Sequence, residues 1–449
     1  MLHKLTTISI AMALTSSLTA VAAYDYGPYL QSGSDTRIAV SWRTKDDTNS
    51  KVCYGTTQNL GKCIDQANDT DDHTVILNDL TPDTKYYYSI NGDDGEITSS
   101  KLNFVTSPIM GTSTPVRVWV IGDSGIEGSA GEDVRDAYLA DSSDHTDIML
   151  MLGDNAYQKG KEDDYEDAMF DQYADVLSQT VVWPVLGNHD EDLSLYKDMF
   201  HLPKNAEIGG VASHSEQYYS FNYANIHFIA LDSEHASRSS SGDMFEWLKE
   251  DLKQVTADWT IAYWHHAPYS KGKHDSDSSR GGQAEDMREH ALPILEGAGV
   301  DLVLSGHDHT YQRSFLIDGH YNDAKTFDKN VHLIDGSSGQ LGYHKSTLGP
   351  APHEGTVYVV TGTASKFSSG PFDFDHPAHY KNIGRVLGSV VIEVDGATMD
   401  VKFIDDDGDT HDNFSIIKGG DSSGTGKRVA ESYNGSSSLE PKLTVASSD

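Results

Sequence analysis

Five apolar runs in the middle of the chain each end in a block of metal-competent side chains: VRVWVIGDSG, IMLMLGDNAY, VVWPVLGNHD, WTIAYWHHAPY and DLVLSGHDHTY. Between the runs lie amphipathic stretches such as EDVRDAYLADSSD, DYEDAMFDQYADVL, GDMFEWLKEDLKQV and AEDMREHALPILEGAG. Buried strands alternating with helices predict an α/β layered domain. In such sheets ligands gather at the carboxyl edge of the strands, so blocks distant in sequence can converge there. In four of the five blocks a glycine precedes the first polar candidate, at Gly122, Gly153, Gly187 and Gly306. A sharp exit from a strand is expected to need that residue.

The flanking regions have other textures. From Tyr24 to about Pro108, short alternating segments (RIAVSW, KVCYG, HTVILNDL, TKYYYSI, KLNFVT) are separated by Asp, Gly, Asn and Pro turns, the pattern of a small antiparallel sandwich. No catalytic constellation falls in it, so it reads as a packing or positioning module. The later segments VYVVTG, VLGSVVIEV and MDVKFID are expected to close a second sheet. The acidic run IDDDGDTHDNF lacks EF-hand spacing and reads as a charged hairpin turn. The resulting division is 1–23 signal peptide, 24–110 all-β sandwich, 115–418 catalytic domain and 419–449 Ser/Gly-rich flexible tail. In the N-terminal segment Lys4 precedes an apolar stretch too short to span a membrane, and Ala20-Val21-Ala22 suits a signal peptidase. A secreted or periplasmic protein is the expectation. Export implies an oxidising compartment, and a disulfide between Cys53 and Cys63 is expected, with two free thiols as the alternative.

The balance of 33 basic against 69 acidic residues, a net charge of -36, argues against a nucleic-acid scaffold or an anionic membrane as partner. It does not exclude a phosphorylated substrate, because bound metal ions can reverse the local field. The strand ends present Asp123, Asp154, Asn188, His189, His265, His266, His307 and His309, hard oxygen donors mixed with imidazoles. That set suits borderline divalent metals or iron. So many donors would crowd one ion, whereas two ions about 3.5 to 4 Å apart can share a bridging carboxylate.

The motif set GDSG, GDNAY, GNHD, WHHAPY and GHDH resembles that of metallophosphoesterases, and specifically of purple acid phosphatases. Tyr157, three residues after Asp154, stands where that family carries its distinguishing tyrosine, with a buried tyrosine at a strand end as the alternative. At the N-terminus, YGPYLQ resembles the entry to the family's first domain, and LTPDTKYYYSI resembles a fibronectin type III-like strand and turn. The resemblance implies a metallophosphoesterase sandwich, two mixed β-sheets flanked by helices in the α/β (α+β) class, preceded by the all-β domain. It implies that Asp123, Asp154, Tyr157 and His309 hold one metal, that Asp154 bridges, and that Asn188, His265 and His307 complete the second. Fe(III) is implied at the Tyr157 site and Zn, Fe or Mn at the other.

Adjacent His265 and His266 leave the fourth block ambiguous. An ungapped alignment with the family favours His265 as ligand, and strand alternation turns His266 to the opposite face, as a cleft or substrate-binding residue. His189 matches the histidine that contacts substrate phosphate or leaving group, with Asp190, in place of the family's glutamate, as a shorter partner for it. His274 falls where plant-type members place a substrate-binding histidine, though an exposed loop histidine fits as well. His201, His214, His227, His290 and His320 read as surface or core residues. The implied activity is hydrolysis of phosphate monoesters by a metal-bound hydroxide, of acid phosphatase type, with His189 and His274 assisting. A phosphodiesterase or nucleotide hydrolase on the same centre is the enzymatic alternative, and an extracellular binding module the non-enzymatic one.

Overall fold

The computed structural model describes residues 24–419 apart from 94, 143, 279–281 and 371. The expected signal peptide, and the tail beyond Gly419, lie outside the described residues. Two large sheets face one another. One has seven strands, with Leu302–Gly306 between Trp259–His266 and Val357–Thr361 at its centre. The other has twelve and contains Val116–Ile121, Ile148–Met151 and Val181–Pro184 side by side. These three pair in parallel, as do Trp259–His266 and Leu302–Gly306 in the opposite sheet. All five block-bearing strands are fully buried except at Val181, which explains their unbroken apolar character.

The main core lies between the sheets, where Trp183 stacks on Phe221 with ring centroids 3.7 Å apart. Helices cover the outer faces. Ser129–Asp141 lays Tyr138 flat on Trp119 at 4.4 Å. Across the molecule, Asp243–Leu252 and Leu292–Ala298 press Phe245, Leu248, Leu292 and Leu295 against Ala262, Trp264 and Val303. The stretch expected as one helix through Ala298 widens to π geometry over Met287–Ala291, just before Pro293. A proline has no N–H to continue the regular ladder, and a wider turn accommodates that loss.

Two expectations about strand placement change. Of the three late segments, only Val357–Thr361 joins the seven-stranded sheet. Gly388–Asp395 instead pairs antiparallel with Val116–Ile121, and Thr398–Asp405 follows it outward. A strand buried on both faces fits beside either sheet by pattern alone, so the partner is decided by packing. In the N-terminal region, RIAVSW and KVCYG are ends of one bent strand, Ile38–Gly55, paired along its length with Lys62–Leu77. Register shifts absorb the polar TKDDTNS stretch between them.

The expected disulfide is present, and Cys53 and Cys63 are direct cross-strand partners. The hairpin reading of IDDDGDTHDNF also holds: Asp405 accepts from the backbone N–H of Asp407 and Asp409.

The N-terminal strands continue the twelve-stranded sheet beyond Val181–Pro184. Leu30 bridges to Val181 in parallel register, Tyr26 stacks on Phe170 at 4.3 Å, and the Tyr29 hydroxyl donates to Met199 O at 2.8 Å. Among the described residues no helix is long and apolar enough to cross a membrane.

Candidate metal centre

Each strand of the five delivers its polar block at the same edge, and the turn that does so differs from the expected one. Asp123, Asp154 and His307 themselves adopt left-handed backbone, with φ of 56°, 52° and 67°. Of the four preceding glycines only Gly153 has positive φ. The others serve space rather than direction. A Cβ on Gly187 would lie 2.1 Å from Asp154 N, one on Gly306 2.6 Å from Asp123 Oδ2, and one on Gly122 2.5 Å from Thr361 O. Non-glycine residues in this conformation cost free energy, and they cluster where side-chain aim matters.

The side chains then meet in two groups. The Tyr157 hydroxyl donates to Asp154 Oδ2 at 2.7 Å and to Asp123 Oδ1 at 3.1 Å, and lies 3.4 Å from His309 Nε2. His309 Nε2 is itself 3.1 Å from Asp123 Oδ1. In the second group His265 Nε2 lies 3.2 Å from Asn188 Oδ1, 3.2 Å from His307 Nδ1 and 3.3 Å from Asp154 Oδ1. Asp154 is thus shared, one oxygen turned to each group. The His265 ring is oriented by Leu152 O, 2.9 Å from Nδ1, which leaves Nε2 for the cluster.

Burial sharpens the electrostatics. Asp123 is fully buried, and although burial pushes its carboxyl up, His309, His265 and Lys366 outweigh it and hold the pKa at about 2. Burial, then Asp123 and Asp154, push the Tyr157 phenol far above its ordinary value. Burial and the crowd of neighbouring imidazoles hold His307 well below the ordinary histidine range. Around them, and against its burial, the buried carboxylates of Asp154 and Asp123 raise the pKa of the His265 imidazole, so oxygen and nitrogen donors of both charge types converge on one space. Donor atoms of Asp123, Asp154 and His265, and of His265, His266 and His307, lie within 4.8 Å of one another. This donor set fits a pair of transition-metal ions.

His266 departs from the alternation argument. A register shift between Trp264 and His266 breaks the ladder at His265, so both imidazoles approach His307, with ring centroids at 5.0 and 4.4 Å. His266 is held by Ser233 Oγ, 2.9 Å from Nδ1, and its Nε2 lies 3.6 Å from Glu234. His189 sits beside the centre: its N–H donates to Asp154 Oδ1 at 2.9 Å, and its Nδ1 lies 2.8 Å from Gln158 O.

Asp190 does not partner His189. It accepts from the backbone N–H of Gly187 at 2.8 Å, from the Asn155 side chain at 3.1 Å and from the Tyr165 hydroxyl at 2.7 Å. This ties the GDNAY block to the GNHD block. Burial, then Asp154, raise its carboxyl to about 6.

His274 is brought into the cleft, 4.2 Å from the His307 ring and 5.6 Å from that of His309. The agent is Asp308, which sequence reasoning passed over because it sits between two more conspicuous histidines. Its carboxylate accepts from the N–H groups of Gly272 at 2.7 Å and Lys273 at 3.1 Å, and from Gln312 at 2.8 Å. His227, read as a surface or core residue, is buried and pairs with buried Asp251 at 2.8 Å. Of the other residues left unassigned, Ser365 and Lys366 could have been suspected from the polar TASK that ends the apolar run VYVVTG. The Ser365 hydroxyl donates to Asp123 O at 2.6 Å.

Residues 116–311 match the calcineurin-like phosphoesterase family, and residues 27–106 match the purple acid phosphatase N-terminal domain. The chain resembles the purple acid phosphatases. Purple acid phosphatase 15 of Arabidopsis thaliana is 29% identical over 301 residues, which are 60% of this chain and 53% of the relative. Purple acid phosphatase 18 of the same plant is 26% identical over 356 residues, 72% of this chain and 74% of the relative. The chain therefore spans about half of the first of these relatives and about three quarters of the second.

Among solved structures, the purple acid phosphatase PPD1 from yellow lupin seeds aligns with a TM-score of 0.66 at 19% identity, covering 87% of this chain and 74% of that one. PhoD aligns with a TM-score of 0.61 at 12% identity, covering 89% and 91%. At these identities the structural likeness speaks for the fold alone.

Proposed function

We propose that this chain hydrolyses phosphate monoesters at a dinuclear metal centre. The observation that carries the reading is the divided carboxylate of Asp154, with Oδ2 on Tyr157 and Oδ1 on His265. Asp123, Asp154, Tyr157 and His309 would hold one ion; Asp154, Asn188, His265 and His307 would hold the other. When bound, the ions supply Lewis acidity, polarising phosphoryl oxygens and lowering the pKa of water toward about 7.

The chain's own residues do the rest. His189 and His274 border the centre and are placed to hydrogen-bond phosphoryl oxygens and to carry a proton to the departing alcohol. His266, fixed by Ser233, lines the same side as His307 and contributes to substrate binding. The imidazole and phenol donors support Fe(III) at Tyr157 and Zn, Fe or Mn at the second position.

The domain division 24–110 and 115–418 and export belong to the same proposal, the latter supported by the Cys53–Cys63 disulfide. The test is turnover of p-nitrophenyl phosphate against its bis ester on purified protein, together with metal analysis and a visible spectrum. Two ions per chain, an iron–phenolate band and preference for the monoester are expected. Absence of bound metal with full turnover would sink the reading.

A further inference from the structure

A cavity of about 450 Å³ opens beside the centre, lined by Lys273, His309, Lys366, Phe367, Ser368 and Phe372. Its volume is that of a small-molecule site, within the usual range of about 300 to 1,000 Å³. His309 belongs to both places, since its Nε2 faces Asp123. Lys366 Nζ stands 3.4 Å above the centroid of the Tyr157 ring, whose hydroxyl reaches Asp154. One ammonium therefore lies within a side chain's length of the buried carboxylates. Lys273 comes from the loop that Asp308 holds in place.

Among the described residues neither ammonium has a carboxylate or hydrogen-bond partner. In a chain with 69 acidic and 33 basic residues, carboxylates to pair with lysines are plentiful. Lys366 acts on Asp123 and Asp154 only across a distance, without direct contact, so both ammonium groups keep their hydrogen-bond donors free for an anion from outside. Phe367, 45% exposed on the same wall, adds an apolar surface for an organic group.

We propose that Lys273 and Lys366 form a second anion subsite that takes a phosphate carried by the leaving group, so that phosphoanhydrides such as nucleoside diphosphates are favoured over simple monoesters. This rests on the hydrolytic reading of the adjoining centre. In the step concerned, water forms a new P–O bond to the phosphorus at the centre, and the bridging P–O bond breaks. Its electron pair departs on the second phosphate, and the proton lost by water passes to solvent or to the released product. The charge that grows on the leaving group is what two ammonium groups would stabilise most.

The test compares kcat/KM for ADP with that for p-nitrophenyl phosphate on the metal-loaded protein, in wild type, K273A/K366A and K273R/K366R. In parallel, calorimetry compares binding of inorganic pyrophosphate with orthophosphate. The alanine pair should lower the ADP-to-ester ratio by about tenfold or more, the loss expected of charge-assisted contacts. It should also abolish the preference for pyrophosphate, while the arginine pair keeps both. A wild type without pyrophosphate preference, or an alanine pair that keeps the ADP-to-ester ratio, overturns the subsite. If wild type cleaves neither ADP nor p-nitrophenyl phosphate yet shows a pyrophosphate preference that the alanine pair loses, the subsite stands and the hydrolytic reading fails.

Discussion

The N-terminal β region and the catalytic edge both bury histidine, and they treat it in opposite ways. His73 lies flat on Trp42 at 4.5 Å, with Thr44 and Ser50 hydroxyls 2.8 and 2.9 Å from its two ring nitrogens. Every polar atom of that ring is satisfied by a neutral partner. At the edge, His265 and His307 face each other, Asp154 and Asn188, with lone pairs converging on a common space. A satisfied imidazole is a packing element, and a crowded one calls for a cation. The difference shows that neighbours, and not residue type or depth, assign the role.

The strongest test of this contrast is Asp154→Ala, which removes the oxygen pair shared by both groups. It should reduce kcat/KM by at least about a thousandfold, roughly 4 kcal/mol of transition-state stabilisation. Bound metal should fall while the near-UV circular dichroism spectrum stays native, and retained turnover would erase the distinction drawn between the regions.

Asp308→Asn should cost less, about 10- to 100-fold, the range seen when an orienting partner of a site residue is lost. Because it acts by releasing the Gly272–His274 loop, metal content should be unchanged. Loss of both metal and activity would instead make Asp308 a support of the ions.

Changes confined to the N-terminal region should touch stability and leave turnover alone. Replacing Cys53 and Cys63 by serine should cost about 2 to 3 kcal/mol in denaturant unfolding, the loop being short. An equal loss of specific activity in the folded protein would show the region to be more than a packing module.

The smallest effect near neutrality is that of His73. Burial lowers its pKa from 6.5 to about 4 in the folded protein, so folding favours the neutral ring. That contribution is fully present above the unfolded value of 6.5 and is lost as pH falls through about 4. His73→Gln should therefore flatten the decline in stability between pH 6.5 and 4 relative to wild type. Parallel curves for the two proteins would remove the assignment.

Much of the architecture was legible because the decisive signals are local. Alternation marked the N-terminal strands, continuous apolar runs marked the buried ones, and helical spacing marked Ser129–Asp141 and Asp243–Leu252. The side chains that converge at the strand ends were legible as candidates because five strand-terminal blocks repeat one logic. Less accessible were Asp190, Asp308 and Lys366. Each works through partners from other segments, as Asp190 does through Asn155 and Tyr165. The glycines were legible as necessary, yet for another reason than the one that operates. Gly187 and Gly306 keep Cβ atoms out of the carboxylates' space, while Asp123, Asp154 and His307 make the turns themselves.

The sequence by itself determined that an all-β region would precede an α/β domain, that Cys53 and Cys63 could pair, and which donors would stand at strand ends. Periodicity and side-chain chemistry are properties of neighbouring residues, and they survive without coordinates. Only the tertiary structure decided that Gly388–Asp395 would flank Val116–Ile121, that a ladder shift would bring His265 and His266 together on His307, and that Lys366 would stand over Tyr157. Those outcomes depend on which surfaces fill a shared volume, a property of the packed chain that no single segment encodes.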